Sequence, residues 1–333
     1  MNVWYLLRRV GFAALTLVLV IFFTFAIFFW LSPDPATLIC GQTCTPERIE
    51  EIRDQLGLSQ PFLVQFLTFL SGLFVGRTMQ SGSTTIECAA PCLGYSFQTG
   101  QEVKVMMLDR FPTSFTLAIG ACILWLLIGV VSGIVAALRQ GTAWDSTIRM
   151  GSLLGVALPN YFVALLLQFV LVVQLKVLPF PQNVTFQEDP LLWFQSFLMP
   201  WIVLALMYAA IYTRITRSNV IDTLSENYVR TARAKGLTER VVVGKHALRP
   251  ALTPLVTLVG MDFAALLGGA LITETVFGLN GIGKMARDAI ATNDQPVIMG
   301  FTLVAAALVV VANLAVDVVY SLLDPRIRTG AGA

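Results

Sequence analysis

Apolar positions in this chain gather into long runs with almost no charge. Four are charge-free: Val10 to Leu31, Phe111 to Leu138, Met150 to Leu175, and Pro190 to Thr213. Two more carry a single carboxylate each: Pro250 to Thr273 holds Asp262, and Gln295 to Leu323 holds Asp317. A bilayer core about 30 Å thick is crossed by about 20 apolar residues in a helix. Backbone groups in lipid must be paired within the segment, so runs of this length predict six transmembrane helices rather than barrel strands. Six buried helices of a soluble protein would be the alternative source of such runs. Arg8 and Arg9 before the first run resemble the basic start of a signal peptide. The run is too long for one, however, and "LSPDPATL" after it offers no clear small-x-small cleavage site, so it is expected to remain as an uncleaved first helix.

Between the first two runs, "TPERIEEIRDQLGL" changes period. Thr45 stands as N-cap, Pro46 at the first helical position, acidic residues fill the first turn, and Ile49, Ile52 and Leu56 share one face. The stretch "QPFLVQFLTFLSGLFVG" that follows is apolar but short, which suits a helix lying at the membrane interface.

Composition agrees with a membrane protein. The chain is 56% hydrophobic and 13% charged, where soluble domains carry about 25% charged residues. Charge placement then suggests the orientation. Of the 22 Lys and Arg residues, fourteen fall before the first run, between the second and third, in Arg214 to Arg249, and at the C-terminus. The other eight lie on the opposite side, five of them in the long Ser32 to Arg110 segment, where the positive-inside rule is weak. Both termini and the Arg214–Arg249 loop are therefore expected to face the cytoplasm.

That loop is long enough for two short helices. The first would run from Asp222 to Lys235 and end at Gly236. The second would be capped by Thr238 and run to Leu248, with Pro250 restarting the chain into the fifth span. A solvated basic loop is one reading of it. The other is a docking element for a cytosolic partner, in which small Ala232, Ala234 and Gly236 let the partner approach the backbone.

"YVRTARAKG…HALRPAL" resembles the coupling loop, the EAA motif, of ATP-binding-cassette importer permeases, in the variant of the dipeptide, oligopeptide and nickel branch. The motif glycine matches Gly236, and Arg230, Thr231 and Ala232 stand where the general motif reads E-A-A; Arg in the first place departs from it but suits the peptide branch. "ETVFGLNGIGKMARDAI" is similar to the family's outside loop after the fifth helix. "TPERIEEIRDQLGLSQPFLVQF" and "LGYSFQTGQEVKVMMLDRFPTSFTLA" are similar to its first outside segment and its approach to the second helix.

The resemblance implies an all-α membrane protein of the bacterial cytoplasmic membrane with the type I ABC importer permease fold, both termini inside. Its parts would be a first helix (1–31), an extracytoplasmic segment (32–110), a five-helix core (111–325) containing the coupling loop (214–249), and a cytoplasmic tail (326–333). Tyr228, Val229, Arg230, Thr231, Ala232, Arg233, Ala234, Lys235 and Gly236 would sit in a cleft of a cytosolic ATPase subunit. The implied partners are a second, related permease, two ATPase subunits that bind ATP and Mg²⁺, and an extracytoplasmic binding protein. No cofactor in this chain and no nucleic acid is implied.

Other features carry competing readings. "GLNGIGKM" (Gly278 to Met285) nearly spells a P-loop, but Met285 replaces the Ser or Thr that would hold Mg²⁺, and the topology puts it outside. Cys40, Cys44, Cys88 and Cys92 form two C-x-x-x-C pairs in the outside segment, where oxidation favours disulfides; three connectivities are possible. Arg77 to Cys92 stands out as an insertion against the family pattern, and Cys122 lies within the second run. Ionisable residues in a span usually face a cavity or a partner, so Asp262 is a candidate to line the pathway, with contact to the second permease as the alternative. Asn160, Tyr161 and Tyr208 are further pathway candidates, and Asp317 is expected to be structural. His246 suits a surface or docking role, and "NVT" at Asn183 has sequon form. No nucleophile–base pair, metal cluster or nucleotide motif is visible. The expectation is a non-enzymatic permease for peptides, with nickel or another solute, an ATPase-independent carrier, or a membrane-embedded enzyme as rivals.

Overall fold

A computed structural model describes residues 3–31, 36–37, 45–55, 59–81, 84–96 and 98–323. The described chain is helical apart from two small hairpins, and it divides into two compact units: residues 1–112 with 281–310, and residues 113–280 with 311–333.

The first unit is founded on α1 (Val3–Leu31), α2 (Pro46–Gln55) and α3 (Phe62–Val75). Phe22, Phe25 and Phe29 recur at helical spacing on α1, as do Phe62, Phe66 and Phe69 on α3, and the rings interlock. Phe22 meets Phe66 edge-on at 5.3 Å, and Trp30 stacks on Phe62 at 5.3 Å. Such aromatic pairs contribute about 0.5–1.5 kcal/mol each beyond area burial. The short apolar helix therefore has a specific seat along α1.

Beyond α3 the sequence reading foresaw no strands. Arg77–Ser81 (β1) and Thr84–Cys88 (β2) form an antiparallel hairpin with Arg77 opposite Cys88, and Cys88 is bonded to Cys92. Gly76 turns the chain into it at φ +82°, and a Cβ there would lie 2.8 Å from the Cys88 carbonyl. Arg77 folds back over the Phe69 ring and donates to Cys92 Sγ. Cys40 and Cys44 lie outside the described residues.

Tyr95–Ser96 (β3) and Gln101–Glu102 (β4) lead into α4 (Val103–Leu138). The start of α4 packs with α11 (Ile282–Thr292) and the first part of α12 (Gln295–Leu323) through Val103, Met106, Ile282, Met285 and Val297. Met285, the residue that spoils the P-loop pattern, is a core side chain there. Ser96 donates to Asp294 at the α11–α12 corner.

The second unit is arranged around α7 (Pro190–Ser225). Asp189 caps α7 by accepting from the amides of Leu191 and Leu192 at 3.0 Å, with Pro190 at the first helical position. The fourth apolar run ends at Thr213, yet α7 continues to Ser225. Arg214 and Arg217 end the apolar run, but no Gly or Pro follows to end the helix.

α5 (Ala143–Ala157) and α6 (Asn160–Gln174) replace the single third helix expected over Met150–Leu175, with a 98° bend between them. Pro159 disfavours the helical region for the residue before it, and Leu158 is extended at ψ 129°.

The expectation is corrected in two places in the loop and in one place in the fifth run. The first loop helix, α8 (Asn227–Ala234), starts after Glu226 has turned extended, not at Asp222. The second does not stop before Pro250: α9 runs unbroken as Glu239–Leu267 through a wide π-type turn at Val242–Ala247. A proline costs a helix its own donor and crowds the carbonyl four residues back, and membrane helices accommodate this by local widening of the kind seen at Val242–Ala247. At its far end α9 stops at Leu267, short of Thr273, because Gly269 takes φ +107°; a separate α10 (Leu271–Val276) follows. Counting the bent α5–α6 pair as one, six segments among the described residues are long and apolar enough to span a membrane.

Candidate functional site

The elbow between α7 and α9 is built by burial on one face only. Val229 and Ala232 point inward and pack with Val242 and Leu224. Tyr228, Arg230, Thr231, Arg233, Ala234, Lys235 and Gly236 are exposed. The expectation that Ala232 is small to admit a partner is corrected: it is small because it packs against its own chain.

A Schellman ending closes α8. Gly236 donates to the Arg233 carbonyl at 2.9 Å, Leu237 to the Ala232 carbonyl at 3.4 Å, and Gly236 holds φ +79°. Arg233 Nε pairs with Glu239 at 2.7 Å, tying the end of α8 to the start of α9. His246 lies in the π-type turn of α9 with its side chain half-buried.

A second constellation joins the transmembrane parts of α4, α7 and α9. Tyr212 donates to Asp262 at 2.7 Å. Trp125, fully buried, contacts Tyr208 at 4.6 Å and Tyr212 at 6.1 Å between ring centroids, and its Nε1–H has no hydrogen-bond partner. Two of the sequence candidates, Asp262 and Tyr208, thus share one cluster. Asn160 stands elsewhere, at the start of α6, where it donates to Thr273 at 3.1 Å while its own carbonyl oxygen is buried without a donor. Tyr161 beside it is half exposed. Asp317 lies in α12, and its side chain is outside the described residues.

Three polar anchors escaped the sequence reading. Asp145 on α5, 1% exposed, receives a two-pronged contact from Arg217 on α7. Glu274, fully buried on α10, accepts from Ser114 at 2.7 Å. Asn183, noted only as a sequon, grips the turn after α10: it donates to the Gly278 carbonyl at 3.0 Å and accepts from the Asn280 amide at 2.6 Å. In the same connection the Thr185 amide holds the Glu188 carboxyl below its ordinary pKa. Asp262 stood out as a carboxylate inside an apolar run; Asp145 and Glu274, outside the runs, did not.

Residues 129–329 match the family described as the inner membrane component of binding-protein-dependent transport systems, and residues 2–118 match its N-terminal membrane component. The chain is a permease of this family. The permease is 34% identical to the dipeptide transport system permease protein DppB of Lactococcus lactis subsp. cremoris, covering 97% of this chain and 99% of that one. It is 31% identical to DppB of Escherichia coli K12, with 97% and 98% covered. Among solved structures it is similar to a chain of the inward-facing MetNI methionine ABC transporter, at a TM-score of 0.51 and 13% identity, covering 66% of this permease and 97% of that chain. That likeness gives the type I importer permease fold.

Proposed function

We propose that this permease is one of two membrane subunits of an ATP-driven importer of dipeptides or short oligopeptides, and that residues 228–236 couple it to ATPase subunits. The elbow carries this reading. It is a short basic helix, fixed on its inner face, exposed on its outer face, and continuous with the two long helices that hold the polar cluster. A push on α8 moves α7 and α9 together. ATP and Mg²⁺ bind to the partner ATPases; this chain supplies the gate. Peptide names on full-length relatives support the cargo class.

Asp262 and Tyr208 line the pathway in this reading, the carboxylate meeting a peptide's ammonium group and the Tyr208 ring its apolar parts, with buried Trp125 packed behind that ring. Asn160 and Tyr161 contribute a second polar position at the α5–α6 bend. A related permease, an extracytoplasmic binding protein and a cytoplasmic elbow complete the assembly.

Proteoliposomes holding this chain with its partner permease, ATPases and binding protein test the reading. Labelled dipeptide is expected to accumulate only with ATP and Mg²⁺, and scrambling residues 228–236 is expected to abolish accumulation. Accumulation without the ATPases would make the chain a self-sufficient carrier. Accumulation of Ni²⁺ in place of dipeptide would reassign the cargo.

A further inference from the structure

We infer that Asp145 and Arg217 are a positioning pair that carries elbow movement from α7 into α5; this rests on the coupling role proposed above. The Asp145 carboxylate is surrounded. Oδ1 accepts from Arg217 Nε at 2.7 Å and lies 3.3 Å from Arg149 Nε. Oδ2 accepts from Arg217 Nη2 at 2.8 Å and from the Gly141 amide at 3.0 Å. The side chain is 1% exposed and that of Arg217 20%. A planar guanidinium that meets a carboxylate with two parallel bonds fixes direction as well as distance.

Place in the chain makes this fork mechanical. Arg217 stands about two turns above Ser225, where α7 ends and the elbow begins. Within those turns α7 is also fastened to α9: Val220 packs with Ala251, and Asn219 donates to the Ala251 carbonyl at 3.2 Å. Leu224 then enters the elbow cluster with Val229, Ala232 and Val242.

On the other side of the fork, α5 leads through the Leu158–Pro159 bend to Asn160, which holds Thr273. Opening the fork would give up two charge-assisted bonds at once, and Arg149 at 3.3 Å does not reproduce their paired geometry, so the fork does not open in passing. Helices α5 and α7 therefore move as one body, and elbow displacement reaches the α5–α6 bend. Loss of the fork leaves the elbow attached to α7 and α9 and leaves α5 held to α7 by close packing, such as Gly155 against Ala210, without the directional bonds that fix its angle.

The test uses the reconstituted transporter with ATPases and binding protein. Variants are Asp145→Asn, Arg217→Lys and the exchange D145R/R217D. The readouts are assembled complex, basal ATP hydrolysis, and peptide transported per ATP. For Asp145→Asn the expected result is normal assembly and basal hydrolysis with transport per ATP lowered at least about fivefold. Arg217→Lys, which keeps the charge but not the fork, should fall between it and the parent, and the exchange should recover part of the ratio.

Unchanged transport per ATP in Asp145→Asn would overturn the inference. If Asp145→Asn fails to assemble, Arg217→Lys decides by the same ratio. An elbow-scrambled control run alongside separates the two readings. If that control still transports, the coupling role itself fails. If it is dead while Asp145→Asn and Arg217→Lys are normal, only the pair is refuted.

Discussion

Tyr212 on α7 donates its phenolic hydrogen to the Asp262 carboxylate on α9 at 2.7 Å, fifty residues away in the chain. Tyr212 is fully buried and Asp262 half-buried, so the bond anchors one oxygen of the carboxylate and leaves the group reachable. The two side chains should therefore respond differently to substitution. Tyr212→Phe removes a structural bond and should lower unfolding stability in detergent by about 1 kcal/mol, with dipeptide uptake reduced in proportion to folded protein. Asp262→Asn keeps an acceptor for Tyr212 and should retain stability within about 0.5 kcal/mol. If its charge meets the cargo's ammonium group, uptake should drop roughly tenfold, the effect of about 1.4 kcal/mol. Parallel uptake and thermal unfolding measurements check this, and full uptake by Asp262→Asn would remove the carboxylate from the pathway.

Close approach of α4 to α7 depends on glycine at 129. A Cβ there would lie 2.7 Å from Tyr212 Cβ and 3.0 Å from the Ala209 carbonyl. Neither neighbour is the free end of a flexible chain, so Gly129→Ala should destabilise by about 1–3 kcal/mol. Gly151 on α5 has nothing within 4 Å of the same added atom, and Gly151→Ala should be neutral or stabilising by up to about 1 kcal/mol through helix propensity. Thermal unfolding of both variants in one detergent provides the comparison. Equal midpoints would contradict the tight α4–α7 contact.

The spans were legible because lipid demands apolar length, and that demand is written residue by residue. Their ends were not, because an apolar run and a helix stop for different reasons. Thr213 ends the fourth run, but α7 continues twelve residues to Ser225 on sequence that contains no breaker. Pro159 did carry its own signal and accounts for the bend that splits the third run. The polar site divided similarly. Asp262 stands out as a carboxylate in an apolar run, whereas Tyr212 does not, and nothing in a single sequence joins residues 50 apart. Asp145 and Arg217, 72 residues apart, lie at the margins of runs, where charges are expected and attract no attention. Ala232 shows the converse limit: small size fits both a docking face and a packed one, and only burial decides between them.

Asn183 joins its loop to the turn after α10 with opposed bonds, one given and one received. A carboxylate at that position could still accept from the Asn280 amide but would face the Gly278 carbonyl with no hydrogen to offer. Asn183→Asp should therefore loosen the turn as much as Asn183→Ala does, although it conserves shape. Each loss amounts to about 0.5–1.5 kcal/mol at an exposed site, or roughly twofold to twelvefold faster amide exchange at residues 278–280. Hydrogen exchange followed by peptide mass analysis reads this directly. Protection retained in Asn183→Asp would show that the accepted bond alone holds the turn.

Gly236 separates backbone shape from side-chain space at the elbow. Its φ is +79°, and an added Cβ would touch nothing within 4 Å. Any penalty on substitution is thus conformational, about 1–2 kcal/mol for an ordinary L-residue held in the left-handed region. Asn tolerates that region better, and a β-branched side chain worst. ATP-driven dipeptide uptake, corrected for membrane level, should accordingly rank Gly236, then Asn, then Ala, then Val. The Arg233–Glu239 pair closes the same turn but is exposed on both sides, so Glu239→Ala should cost at most about 1 kcal/mol and leave uptake close to normal. A ranking that follows side-chain volume, with Ala better than Asn, would mean that the elbow is limited by contact with a partner surface and not by its own left-handed turn.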